Sequence, residues 1–232
     1  MKRGRPGDPG LRNEALALAA WGGDGAVALL EADVDGRGEL VLERVVPGTQ
    51  LAALADDDEA TRIAAGVMRR LWCAPPPGVP TVEDWAAGFA RHRAAHAGGS
   101  GPLDAALFSR AERLFGELCA TQAAPVLLHG DLHHFNVLRG ADWVAIDPKG
   151  VVGEPCYEPG ALLRNPMPDL PSRARTARRL DVLAEELGFP RERLRDWAFA
   201  QAVLSAVWYV EDGDPGAGRR HAMACAERLA AN

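Results

Sequence analysis

Two short apolar runs, each ending in acidic or amide side chains, constrain this chain more than any other feature. They are Val126-Leu-Leu-His-Gly-Asp-Leu-His-His-Phe-Asn-Val-Leu-Arg139 and Trp143-Val-Ala-Ile-Asp-Pro-Lys-Gly150. Runs of this length and composition read as strands. Strands here would carry Asp131, Asn136 and Asp147 to their ends and hold three polar side chains around one small pocket. Oxygen donors of this kind suit a hard cation and a phosphate.

Transfer of a phosphoryl group from a nucleotide needs a carboxylate to orient the acceptor hydroxyl, and oxygen ligands for Mg²⁺ between the β and γ phosphates. In the kinase pattern H-x-D-L-x-x-x-N the Asp acts as base and the Asn holds metal, while a further Asp on the next strand holds metal too. His129, Asp131, Leu132, Asn136 and Asp147 occupy those places in order. Asp131 is therefore the expected catalytic carboxylate, and Asn136 and Asp147 the expected Mg²⁺ ligands. Gly130 stands where regulated protein kinases carry Arg, so no switch operated by a phosphorylated loop is expected.

The whole segment resembles the aminoglycoside phosphotransferase family of small-molecule kinases. Within it, Ile146-Asp-Pro-Lys-Gly-Val-Val-Gly153 resembles the streptomycin and hydroxyurea resistance branch, the aminoglycoside 6-phosphotransferase-like kinases. The resemblance implies an α+β, protein-kinase-like fold of two lobes, with ATP as phosphate donor, Mg²⁺ as cofactor and a cationic small molecule such as streptomycin as acceptor. Residues 1–46 would be the remnant of an incomplete N-terminal sheet lobe, and residues 47–232 a large, mainly helical lobe carrying the catalytic and metal loops. Hydroxyurea, choline, an amino acid or a sugar stay open as acceptors, as does a truncated, non-catalytic remnant that binds without turnover.

A complete kinase of this kind opens with two strands and a phosphate-covering loop, followed by a third strand whose Lys pairs with a Glu on the next helix. Glu14, on a helix expected over residues 11–21, matches that Glu. Lys2 is either the lysine of a residual third strand or a basic residue in a flexible Gly, Pro and Arg rich leader over residues 1–10. The first two strands have no counterpart, so Met1 is expected to be an internal start and the 232-residue form to transfer phosphate poorly or not at all. Strands expected over 26–31 and 39–45 would end beside the adenine, with Glu43 and Val45 offering backbone groups.

Seven helices are expected beyond this, over residues 57–72, 81–96, 103–121, 157–163, 173–187, 191–211 and 218–231. The acid run at 56–59 reads as a helix cap rather than a metal site. His92 and His96 lie one turn apart but lack the Glu of a zinc protease, which favours a solvated helix face. His133 and His134 read as loop filling or a substrate-side contact. Lys149 either meets the γ phosphate or pairs with Glu154. Glu154 and Glu158, and the later cluster Glu211, Asp212 and Asp214, are candidates for binding a cationic acceptor, with ordinary surface acids as the alternative for the cluster.

A net charge of −6 offers no basic field for nucleic acid or anionic lipid. The four cysteines are scattered, which argues against a zinc site or a disulfide framework and for a reducing cytoplasm. No apolar run approaches the roughly 20 residues that span a bilayer, and no protein partner is evident.

Overall fold

The structure is a computed structural model describing residues 1–231. Strand β1 (Lys2–Arg3) pairs with β3 (Glu39–Leu42), which pairs in turn with β2 (Leu29–Asp33), all antiparallel in the order β1-β3-β2. Helix α1 (Pro9–Trp21) starts where the Asp8 side chain accepts the Leu11 N–H and stops at left-handed Gly22. Its Leu11 and Ala15 pack on Leu40 of the sheet. The expected flexible leader is thus an ordered edge strand and a helix cap. The Gly4 N–H bonded to the Gly38 carbonyl at 2.8 Å ties it to the hairpin.

The expected strand over 26–31 is split. Residues 25–28 leave the small sheet and are stitched to β7 (Trp143–Ala145): the Val27 N–H reaches the Ala145 carbonyl at 2.9 Å, and the Ala145 N–H reaches the Gly25 carbonyl at 2.8 Å. This crossing fixes the small sheet over the rest of the molecule. Strand β7 pairs with β6 (Val137–Arg139), which also takes β4 (Thr49–Gln50), while β5 (Val126–Leu128) pairs with β8 (Val151–Gly153).

The remaining mass is helical: α2 (Asp57–Leu71), α3 (Val82–Ala95), α4 (Ala105–Ala120), α5 (Gly160–Arg164), α6 (Arg173–Leu187), α7 (Arg191–Glu211) and α8 (Ala217–Ala230). Helix α7 is buried around most of its circumference, as a central helix must be. Its Trp197 meets Phe115 and Tyr157 edge-on at 5.2 and 5.3 Å. Each such fully buried large side chain stabilises the fold by about 1.5–3 kcal/mol.

The acid run opens α2 as expected. Asp56 accepts the N–H groups of Asp58 and Glu59, while Asp57 and Asp58 bind Arg179 and Arg178 of α6. The solvated face expected for His92 is overturned. His92 is 1% exposed, with its Nε2 on the Ser100 carbonyl at 2.9 Å, because the loop after α3 folds back over it. No helix among the described residues is long and apolar enough to cross a membrane.

Candidate active site

Strand β5 ends at Leu128 and delivers residues 129–136 as a loop held from beneath. The His129 imidazole is buried, its Nε2 donates to the Ile146 carbonyl at 2.8 Å, and its Nδ1 accepts the Asp131 N–H at 3.2 Å. One donor and one acceptor define a neutral ring, and burial pushes its pKa down to about 4. Gly130 follows with φ +81°, where an added Cβ would lie 2.8 Å from Trp85, so only glycine fits the turn. Asn136 closes the loop, its Nδ2 donating to the Asp131 carbonyl at 3.0 Å and its carbonyl accepting the Ile146 N–H at 2.9 Å.

Asp147 follows β7 in the left-handed region, with φ +60°. Asp tolerates that region better than most residues, and the cost marks a place where direction matters. Its Oδ1 meets Lys2 Nζ at 2.7 Å, and the same Nζ meets Glu14 Oε2 at 2.6 Å. Burial works against the charge on Asp147, but the Lys2 bond outweighs it and the pKa lies below the usual carboxylate range. For Glu14 burial wins and the pKa is raised; its Oε1 is buried without a partner. Lys2, Asp147, Glu43 and Val45 line one cleft of about 630 Å³. The Glu43 N–H is already bonded to the Ala28 carbonyl, which leaves its carbonyl for a ligand.

Asp131 faces elsewhere, into a cavity of about 480 Å³ shared with Lys149, Asp212, Arg164, Gln201 and an aromatic wall of Trp85, Trp208 and Tyr209. Trp85 and Trp208 meet at 90° with centroids 5.4 Å apart. The site thus has two hollows, one lined by the lysine–carboxylate pair and the other by Asp131 with aromatic and charged side chains, and Asp147 and Lys149, two residues apart, line one each.

A sequence profile described as "Aminoglycoside/hydroxyurea antibiotic resistance kinase" matches residues 7–213. The chain belongs to this family. It is 34% identical over 210 residues to a streptomycin 3''-kinase from Klebsiella pneumoniae, covering 84% of this chain and 74% of that one. It is 36% identical over 215 residues to a hydroxyurea phosphotransferase from Kitasatospora aureofaciens, covering 87% of this chain but only 59% of the relative. Among solved structures it resembles a choline/ethanolamine kinase family protein from Mesorhizobium loti, with TM-score 0.72, 15% identity, and 96% and 80% of the two chains covered. At that identity the likeness establishes the fold, which is protein-kinase-like.

Several acceptor-side expectations for this resistance kinase are corrected by the geometry. Glu154 is buried and holds Arg193 at 2.6 and 2.7 Å and the Trp197 indole N–H at 2.8 Å, so it is neither an acceptor ligand nor the partner of Lys149. Glu158 is fully buried and accepts the backbone N–H groups of His129 and Gly130, so it supports the loop instead of facing a ligand. Glu211 pairs with Arg91 at 3.1 Å on the outside of α7. Asp212 alone of the late acids lines the cavity with Asp131. His134 is buried against Arg179 and fills the loop, whereas His133 reaches the cavity wall.

Trp85, Trp208, Arg164 and Gln201 were not legible as site residues, since each sits in an ordinary helical pattern. The one signal present was Arg164, a charge at the end of the apolar run Gly160-Ala-Leu-Leu.

Proposed function

We propose that this resistance kinase transfers the γ-phosphoryl group of ATP to a hydroxyl of a cationic, aminoglycoside-type acceptor, with streptomycin the first choice. The closeness of the two hollows along the chain carries the reading: Asp147 lines the Lys2 cleft and Lys149 the aromatic cavity, so a donor in the first and an acceptor in the second would meet beside Asp131. Asp131 orients the acceptor hydroxyl and takes its proton, on a loop whose rigidity keeps the reacting atoms aligned. Lys2, held by Glu14, binds phosphate oxygens. Glu43 and Val45 offer backbone groups to adenine.

The donor set also fits Mg²⁺, which asks only one or two protein oxygens beside those of the phosphates. Asn136 has its Nδ2 committed to the Asp131 carbonyl, which leaves Oδ1 to accept, and Asp147 is half exposed beside Lys2. Asn136 and Asp147 would hold the ion, and bound Mg²⁺ supplies neutralisation of charge between the phosphates. Lys149 lines the cavity beside Asp131, and there it would meet the charge that develops on the transferring group.

The two streptomycin-type features are the Asp212 carboxylate and the aromatic wall, which together suit a cationic, drug-sized molecule. Hydroxyurea, named for the second relative, is far smaller than the cavity. Calorimetric titration of ATP with and without Mg²⁺ tests the assignment. Asp147→Ala should lose the metal dependence of nucleotide binding, while Asp131→Ala keeps binding and loses transfer. Unchanged metal dependence in the Asp147 variant would contradict it.

A further inference from the structure

The cavity beside Asp131 contains a guanidinium that no carboxylate neutralises. Arg164, the last residue of α5, is only 8% exposed, yet lines the cavity. Its Nη1 donates to Gln201 Oε1, and no Asp or Glu lies within ion-pairing range of it among the described residues. By contrast, buried Arg179 is paired with Asp57 and half-buried Arg193 with Glu154.

Three helices hold Arg164 in this state. Helix α8 fixes its backbone, with His221 Nε2 on the Arg164 carbonyl at 2.7 Å. Helix α7 supplies Gln201. In α5 itself, Gly160 lets Gln201 come close, because a Cβ there would lie 2.0 Å from Gln201 Oε1. A guanidinium carries five N–H donors in a planar fork that matches carboxylate-like oxygens, and Gln201 uses one. A buried charge without a partner is costly, and a fold that fixes one at a cavity wall leaves its remaining donors for what enters the cavity.

We propose that Arg164 is an acceptor-specificity residue whose guanidinium binds an oxygen-bearing group of the acceptor, a carboxylate or a carbonyl, distinct from the hydroxyl that meets Asp131. The inference rests on the cavity being the acceptor site. The cavity is then two-signed: Arg164 takes an oxygen-rich part of the acceptor, and Asp212 with the aromatic wall takes its cationic part. A uniformly cationic acceptor would fit poorly, and the planar fork makes Lys an inadequate replacement.

Trp85 and Trp208 in the wall report occupancy through their fluorescence. The wild-type chain, Arg164→Met and Arg164→Lys are titrated with streptomycin, dihydrostreptomycin (the same molecule with its formyl group reduced) and L-serine, and separately with ATP. At least one oxygen-bearing probe should bind the wild type and lose about tenfold or more in affinity in Arg164→Met. Arg164→Lys should fall between, and ATP affinity should stay within about twofold. Sensitivity for streptomycin but not dihydrostreptomycin identifies a carbonyl, and sensitivity for serine a carboxylate.

Equal affinities in wild type and Arg164→Met overturn the inference while leaving the cavity as the acceptor site. A parallel loss of ATP affinity overturns it too, by making Arg164 a structural support. No response of the wild type to any probe removes the acceptor-site reading and the inference with it. If Arg164→Met shows no cooperative thermal transition, Arg164→Lys decides, and wild-type affinity in that variant rejects the proposal.

Discussion

Glu158 lies 2.6 Å from the backbone nitrogen of His129, so that one fully buried carboxylate accepts that N–H and, at 3.0 Å, the N–H of Gly130. Burial pushes its pKa up to about 7 in spite of these bonds, from an ordinary value of 4.5. The ionised form holds both N–H groups more strongly than the neutral one. Activity should therefore rise through pH 7. The stability term has the opposite sign: a carboxyl whose folded pKa is raised stabilises the fold below about 4.5, and that contribution is lost as pH rises to about 7. A pH profile of kcat/KM with its acid limb near 7, abolished as a titration in Glu158→Gln, is the expected result. A limb near 4 would place the dependence on another group.

Lys2 separates structure from binding. Removing it as Lys2→Met leaves Glu14 buried with no cation and should cost about 1–3 kcal/mol of stability. Adding Glu14→Gln should recover most of that loss without recovering nucleotide affinity. Urea unfolding of the single and double variants, with ATP titration of both, distinguishes the two roles. Restored ATP binding in the double variant would show that Lys2 acts only by neutralising Glu14.

Glu154 offers a test of its correction from acceptor ligand to brace. Glu154→Ala leaves Arg193 with only the Leu118 and Thr121 groups and the Trp197 indole N–H without a partner, and should cost about 1–3 kcal/mol. At a temperature where the variant stays folded, the acceptor KM should be unchanged. A raised KM with full stability would return Glu154 to the acceptor site.

What could be read in the residues was the part carried by short local spacing. Asp131 and Asp147 follow strands and Asn136 precedes one, at ends that the apolar runs mark, and Lys2 and Glu14, twelve residues apart, sit on a strand and the helix after it. The acceptor side was read poorly because long-range packing decides it. Glu154 and Glu158 follow the Asp147 loop in sequence, yet the chain turns inward after β8 and buries both. Trp85 on α3, Arg164 on α5 and Trp208 on α7 meet only because α7 runs through the centre of the helical layer. The flexible leader was misjudged because Gly and Pro content hides the Asp8 cap and the backbone bond from Gly4 to Gly38.

Phosphate transfer followed by mass spectrometry tests the central claim most directly. The chain is incubated with ATP and Mg²⁺ and offered streptomycin, hydroxyurea, choline and a neutral sugar, alongside Asp131→Asn. The account predicts that streptomycin gains one phosphoryl group with the wild-type chain and none with Asp131→Asn. Phosphorylation of neutral compounds alone, or transfer that persists in Asp131→Asn, would contradict it.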